Sequence, residues 1–134
     1  MILVGLEMVK DFKSIIYKMN TVSSLSVEKM APLLQKRLPN HLEELKIIDC
    51  RINATLVSQL MKTLLENSQL RALSLVNIHH SPESFELVIR FINDNEFIKE
   101  LDVSWSIVKP SLWLNFIEAV GQNRRLTDLN LAFN

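Results

Sequence analysis

The sequence predicts an α/β chain built from stacked strand–helix units, and three observations predict it. Apolar residues recur with a spacing of 28, with Leu42, Leu70, Ile98 and Leu126 opening successive blocks. Each opening is followed at three and five positions by two more, Leu45, Leu73, Leu101, Leu129 and then Ile47, Leu75, Val103, Leu131. Between the blocks, apolar residues change from a period of two to the i, i+3, i+4, i+7 spacing of a helix. A fixed period of this size marks like units that bury their apolar faces only against one another.

The elements follow in order. Over residues 1–11, Ile2, Leu3 and Leu6 fall at the inward positions of a helix, belonging to a partial unit or serving as a cap. Shifting the frame to Phe12 recovers the block as Phe12, Ile15 and Tyr17, followed by Asn20 and Val22. The units are therefore 12–41, 42–69, 70–97 and 98–125, with a partial one at 126–134, all in a single domain. Strands are expected at 15–19, 45–48, 73–76, 101–104 and 129–132. The helix of the first unit is expected at about 26–38 and is less regular; Pro32 sits inside it, either in its middle or marking its true first turn.

The later helices are more regular. Val57, Leu60, Met61 and Leu64 recur as Phe85, Val88, Ile89 and Ile92, and again as Trp113, Phe116, Ile117 and Val120. This spacing gathers them on one face. Lys62, Glu66, Arg90, Asp94, Asn115 and Glu118 fill the other. Leu87 and Phe91 lie beyond the inward stripe, where they flank neighbouring helices or offer a second contact. Asn67, Asn95 and Asn123 follow the helices, and asparagine tolerates the left-handed conformation that ends one. Short connections between alternating strands and helices demand parallel strands and right-handed crossovers. Strands then line a concave side and helices a convex one.

Composition narrows the function. The chain has 15 basic and 15 acidic residues, so its bulk charge gives no sign of a nucleic-acid partner. A single cysteine excludes an internal disulfide and fits a reducing compartment. The opening MILVGLEMVK lacks the basic start of a signal peptide, and Glu7 interrupts its short apolar run. No stretch approaches the roughly 18 apolar residues of a membrane helix. The expected location is intracellular.

The last block reads LTDLNLAFN, which resembles the opening of a leucine-rich repeat, L-x-x-L-x-L-x-x-N. A unit of 28 residues with a full helix is similar to the ribonuclease-inhibitor type of that family. The resemblance implies a leucine-rich-repeat solenoid of about four repeats plus partial ends. Its members are intracellular and include ribonuclease inhibitor, the Ran GTPase-activating protein, sensor regions of immune receptors, and ciliary and cytoskeletal proteins. They share a scaffold and differ in partners. The family places Asn or Cys at the ninth position to bond loop backbone groups. Here the column reads Asn20, Cys50, Ile78, Ser106, Asn134. Ile78 cannot make that bond, so its loop is expected to differ or to recruit water. Neither end carries a polar cap, so the chain reads as a segment of a longer array or as one whose ends are covered by neighbouring chains.

Little in the sequence carries chemistry. His79 and His80 are adjacent and read as a surface pair without ligand spacing; His41 stands alone. Cys50 reads as a small buried residue with no base to activate it. No phosphate-binding, dinucleotide or zinc-protease motif is present. Arg124 and Arg125 are explained by the dipole of the helix they follow. The expectation is a non-catalytic protein needing no cofactor or metal. Arg51, in a loop after a strand, is the residue a Ran-type GTPase-activator reading would use. Ligand sensing in an immune receptor or effector is the other alternative.

The expected binding site is the concave strand face. Its exposed columns are Ser14, Glu44, Ala72, Glu100, Asp128; then Ile16, Lys46, Ser74, Asp102, Asn130; then Lys18, Ile48, Val76, Ser104, Ala132. At the strand exits stand Met19, Asp49, Asn77, Trp105 and Phe133. Glu100, Asp102 and Asp128 make one half acidic and would steer a protein partner with a basic or mixed surface. Trp105 would anchor it, or else fold back over its own core; Phe133 is expected to pack against a following unit. The candidate residues are Glu44, Lys46, Val76, Glu100, Asp102, Ser104, Trp105, Asp128 and Asn130, with no membrane or nucleic-acid partner. The assembly implied is cytoskeletal, ciliary or organellar.

Overall fold

The computed structural model describes residues 2–3, 14–18, 42–67, 69–106 and 108–134, with only the backbone of Ile2, Leu3, Tyr17 and Asn67. Its strands are β1 (Ile2–Leu3), β2 (Ser14–Lys18), β3 (Glu44–Ile48), β4 (Ala72–Val76), β5 (Glu100–Asp102) and β6 (Asp128–Asn130). They form one parallel sheet in chain order. Three helices are described, α1 (Ala54–Asn67), α2 (Pro82–Asp94) and α3 (Pro110–Gln122), each joining consecutive strands. The expected helix at 26–38, the block positions Phe12, Met19, Asn20 and Val22, and His41 lie outside the described residues.

The register carries the sequence period directly. Glu44 pairs with Ala72, Ala72 with Glu100, and Glu100 with Asp128. The connections repeat as well. The carbonyl of Glu43 accepts from the amides of Arg71 and Ala72, that of Arg71 from Lys99 and Glu100, and that of Lys99 from Thr127 and Asp128. One apolar core joins the inward strand residues Leu45, Ile47, Leu73, Leu75, Leu101 and Val103 to the helices. Among the described residues nothing covers the other sheet face.

Local chemistry sets the helix ends. Asn53 Oδ1 accepts from the amide of Leu56 at the start of α1. Ser81 caps α2 by accepting from Ser84 N, with Pro82 in the first turn. At the far ends the asparagines act differently from the expectation. Asn95 and Asn123 have extended backbones, with φ of −87° and −74°. Their side chains make the turn instead: Asn95 Oδ1 accepts from Phe97 and Ile98, and Asn123 Oδ1 from Arg125 and Leu126. Left-handed backbone falls at the strand exits, at Asp49, Asn77, Trp105 and Phe133, with φ between 54° and 62°.

Other expectations are corrected by packing. Ile2 and Leu3 are extended and pair with Ile16 and Tyr17, not helical. A strand there supplies backbone partners to an edge of β2 that would otherwise be bare. One expectation holds: Phe91 flanks the neighbouring helix, fully buried beside Leu64 and Leu65 of α1. Flanked by a helix on each side, α2 buries a wider arc than its own periodicity indicates. The reverse holds for α3, where Ile117 is 58% exposed and Leu112 and Ala119 are buried instead. Among the described residues no helix lies beyond that side of α3. Ile78 keeps the same left-handed exit before it as its counterparts, at Asn77, and its side chain enters the core. The backbone of the exit thus matches the others, without the side-chain bond that Cys50, Ser106 and Asn134 make.

Candidate protein-binding surface

The open sheet face is built by strand alternation, which turns one residue in two away from the helices. The register aligns Glu44, Ala72, Glu100 and Asp128 in one row and Lys46, Ser74, Asp102 and Asn130 in the next. A hollow of about 310 Å³ lies here, lined by Lys46, Ser74, Glu100, Asp102, Asp128 and Asn130 among others. Ala72 and Ser74 are buried although they lie on this face. Both are small and lie on the central strand β4, and Ser74 forms part of the hollow's lining.

The acidic residues differ in freedom. Asp102 is fixed: Oδ1 accepts from the amide and hydroxyl of Ser104 at 2.9 and 2.6 Å, and Oδ2 from Asn130 Nδ2 at 3.1 Å. Asp128 accepts from Thr127 Oγ1 at 2.8 Å and is exposed. Glu100 is exposed and has no side-chain partner among the described residues. Glu44 accepts from Ser14 Oγ at 2.6 Å and pairs with Lys46 at 3.3 Å. The Ser14 hydroxyl, with help from Lys46 and against partial burial, holds the Glu44 carboxyl below its usual range. Three of these carboxylates thus face one hollow with a single lysine, Lys46, on its wall.

Ser104 is a correction. It is 4% exposed and its hydroxyl donates to Asp102, so it holds that carboxylate and is not itself an exposed residue of the face. Val76 is half-buried on the same face. Trp105 is 54% exposed and does not close over the core. Its ring stacks on Phe133, centroids 4.3 Å apart and planes 23° from parallel. Both carry left-handed backbone, which is costly for a bulky residue. The sequence reading named both residues but missed that they stack. The signal was their spacing of 28 in a parallel register.

In the ninth-position column Ser106 and Asn134 bond the preceding strand's exit, while Cys50 bonds within its own. Cys50 Sγ donates to the Ile48 carbonyl, Ser106 Oγ to that of Leu75, and Asn134 Nδ2 to that of Val103. His80 is buried, unlike the expected surface pair; its Nδ1 lies 3.4 Å from Ser84 Oγ and its Nε2 has no partner. Burial, and secondarily the charge of His79, pushes its pKa down to about 4. No three His, Cys, Asp or Glu side chains among the described residues converge to hold a metal ion. Nor is any described helix long and apolar enough to cross a membrane.

These features define an α/β protein with a parallel sheet whose uncovered face is acidic. Its fold is similar to the solved structure of leiomodin-1 actin-binding site 2, with a TM-score of 0.64 and 15% identity over 83% of this chain. The chain spans 65% of that structure's length, and at this identity the likeness is one of fold. No family model matches the sequence. No curated protein matches it either.

Proposed function

We propose that the chain is a leucine-rich-repeat solenoid of the ribonuclease-inhibitor type, a single domain whose concave face binds a protein without catalysis. The acidic hollow carries this reading: Glu100 and Asp128 are exposed beside a fixed Asp102, with Ser74 in the lining. Charge so arranged steers a basic surface and excludes an acidic one. The repeat period and the 28-residue register support the solenoid. A structure described as an actin-binding site shares the fold, which makes actin the first partner to test. A reducing, intracellular setting, cytoskeletal in particular, fits the lone cysteine and this choice.

The test compares wild type with a Glu100→Lys, Asp128→Lys double variant. Both positions are exposed, so the variant should melt like wild type. Binding is first measured with purified actin by cosedimentation, and then by cross-linking in cells followed by mass spectrometry. Recovery of a protein with wild type and its loss with the variant supports the reading. Recovery of the same proteins with both sinks it.

A further inference from the structure

A second cleft, of about 440 Å³, opens at the strand exits, beyond the acidic face. Its apolar floor is Cys50, Ile52 and Ile78, all buried, and one wall is the exposed ring of Trp105. Arg51 and His79 stand on its rim, both exposed. Among the described residues no carboxylate lines it. Asp49, close in sequence, already accepts a hydrogen bond from Asn77. Arg51 has no acidic partner among the described residues. The volume is within the range of pockets that enclose a side chain or a small ligand. The charge is opposite to that of the neighbouring hollow, so the two cannot favour the same ligand group.

We infer that this cleft receives an acidic–apolar segment of a polypeptide. An aliphatic or aromatic side chain lies against Trp105 and the isoleucines, and a neighbouring carboxylate meets the Arg51 guanidinium. Three observations converge on that chemistry. An aromatic wall over an aliphatic floor buries apolar surface. An unpaired arginine offers a planar fork matched to a carboxylate. Trp105 is also kept exposed at a left-handed position, φ 58°, where an asparagine or glycine would sit with less strain. The inference rests on the protein-binding reading only in taking a polypeptide as the ligand. A partner engaging both sites would present basic residues to Glu100 and Asp128 and an acidic residue to Arg51.

The probe is a phage-displayed library of random dodecapeptides selected on the immobilised chain. Selection should enrich an Asp or Glu next to an aromatic or aliphatic residue. Arg51→Glu should weaken binding of synthesised winners by about tenfold or more, as for loss of one charge-assisted hydrogen bond. Selection on Arg51→Glu should return Lys or Arg at the acidic position. Trp105→Ala should abolish enrichment of the apolar residue. Thermal melts of both variants establish that they are folded. Glu100→Lys, Asp128→Lys should leave the acidic–apolar preference intact, which separates this cleft from the acidic face. No enrichment, a consensus without an acidic residue, or an unchanged consensus on Arg51→Glu overturns the inference. If the double lysine variant alone removes binding, the acidic face stands and the cleft does not.

Discussion

Trp105 and Phe133 occupy equivalent strand exits, share a left-handed backbone and stack ring on ring at 4.3 Å. In the two preceding exits the same positions hold Asp49 and Asn77, joined by a 3.0 Å hydrogen bond. The column thus changes from a polar pair to an aromatic one while its backbone stays the same.

This exchange makes Trp105→Asn informative. A bulky residue in the left-handed region costs about 1–2 kcal/mol. An aromatic stack returns about 0.5–1.5 kcal/mol. The substitution should therefore leave stability within about 1 kcal/mol of wild type in urea melts while removing the apolar wall for a ligand. A loss of several kcal/mol would show that Trp105 is kept for packing.

Phe91 lies in the seam between α1 and α2, fully buried. Phe91→Ala should cost about 3–5 kcal/mol, the usual range for removing a buried phenylalanine. Ile117→Ala, exposed on α3, should cost well under 1 kcal/mol. Equal losses at the two sites in denaturant melts would contradict the packing described.

Asn123 makes three side-chain bonds, accepting from Arg125 and Leu126 and donating to the Ile92 carbonyl at 2.7 Å. Its replacement by alanine should destabilise the chain by roughly 1–3 kcal/mol, since two part-buried backbone groups and one exposed one lose their partners. Asn95→Ala, where two such bonds are described, should cost less. Paired thermal melts decide the order.

His80 predicts the acid limit of stability. Burial lowers its pKa to about 4, against 6.5 for the free side chain. The unfolded chain therefore takes up a proton that the folded chain refuses. Stability is unaffected above about pH 6.5, falls as pH drops through the window from 6.5 to 4, and is lower by roughly 2 kcal/mol at pH 5. His80→Leu removes both the titration and the unpaired Nε2. Its stability should stay flat across that window in urea melts, and an unchanged slope would assign the acid sensitivity elsewhere.

Much of the sheet and its register was legible because one period governs both strands and helices. Leu45, Leu73 and Leu101 are buried where the alternation puts them. Ile117 was misplaced because periodicity orders a helix's own faces and says nothing of which neighbours flank it, whereas Phe91 packs against the neighbouring helix as the flanking reading expected. Asn95 and Asn123 were given a backbone role that their side chains perform. The left-handed exits had a signal in Asp49 and Asn77, two residues that tolerate such a backbone, but Trp105 and Phe133 obscured it. On the open sheet face, Glu100 and Asp128 are exposed as the alternation requires. Ser104 is not, because β5 ends at Asp102 and Ser104 bonds that carboxylate through both its amide and its hydroxyl.

The side-chain bonds of Ser106, Asn123 and Asn134 all reach back 31 residues, to Leu75, Ile92 and Val103. They work as one-way clasps, since each later unit grips the one before it. Damage should then spread unevenly. When a later unit frays, its predecessor is left with carbonyls that water can satisfy; when an earlier unit opens, the clasps of its successor lose their anchor. Local opening should therefore travel toward the C-terminus more readily than against it.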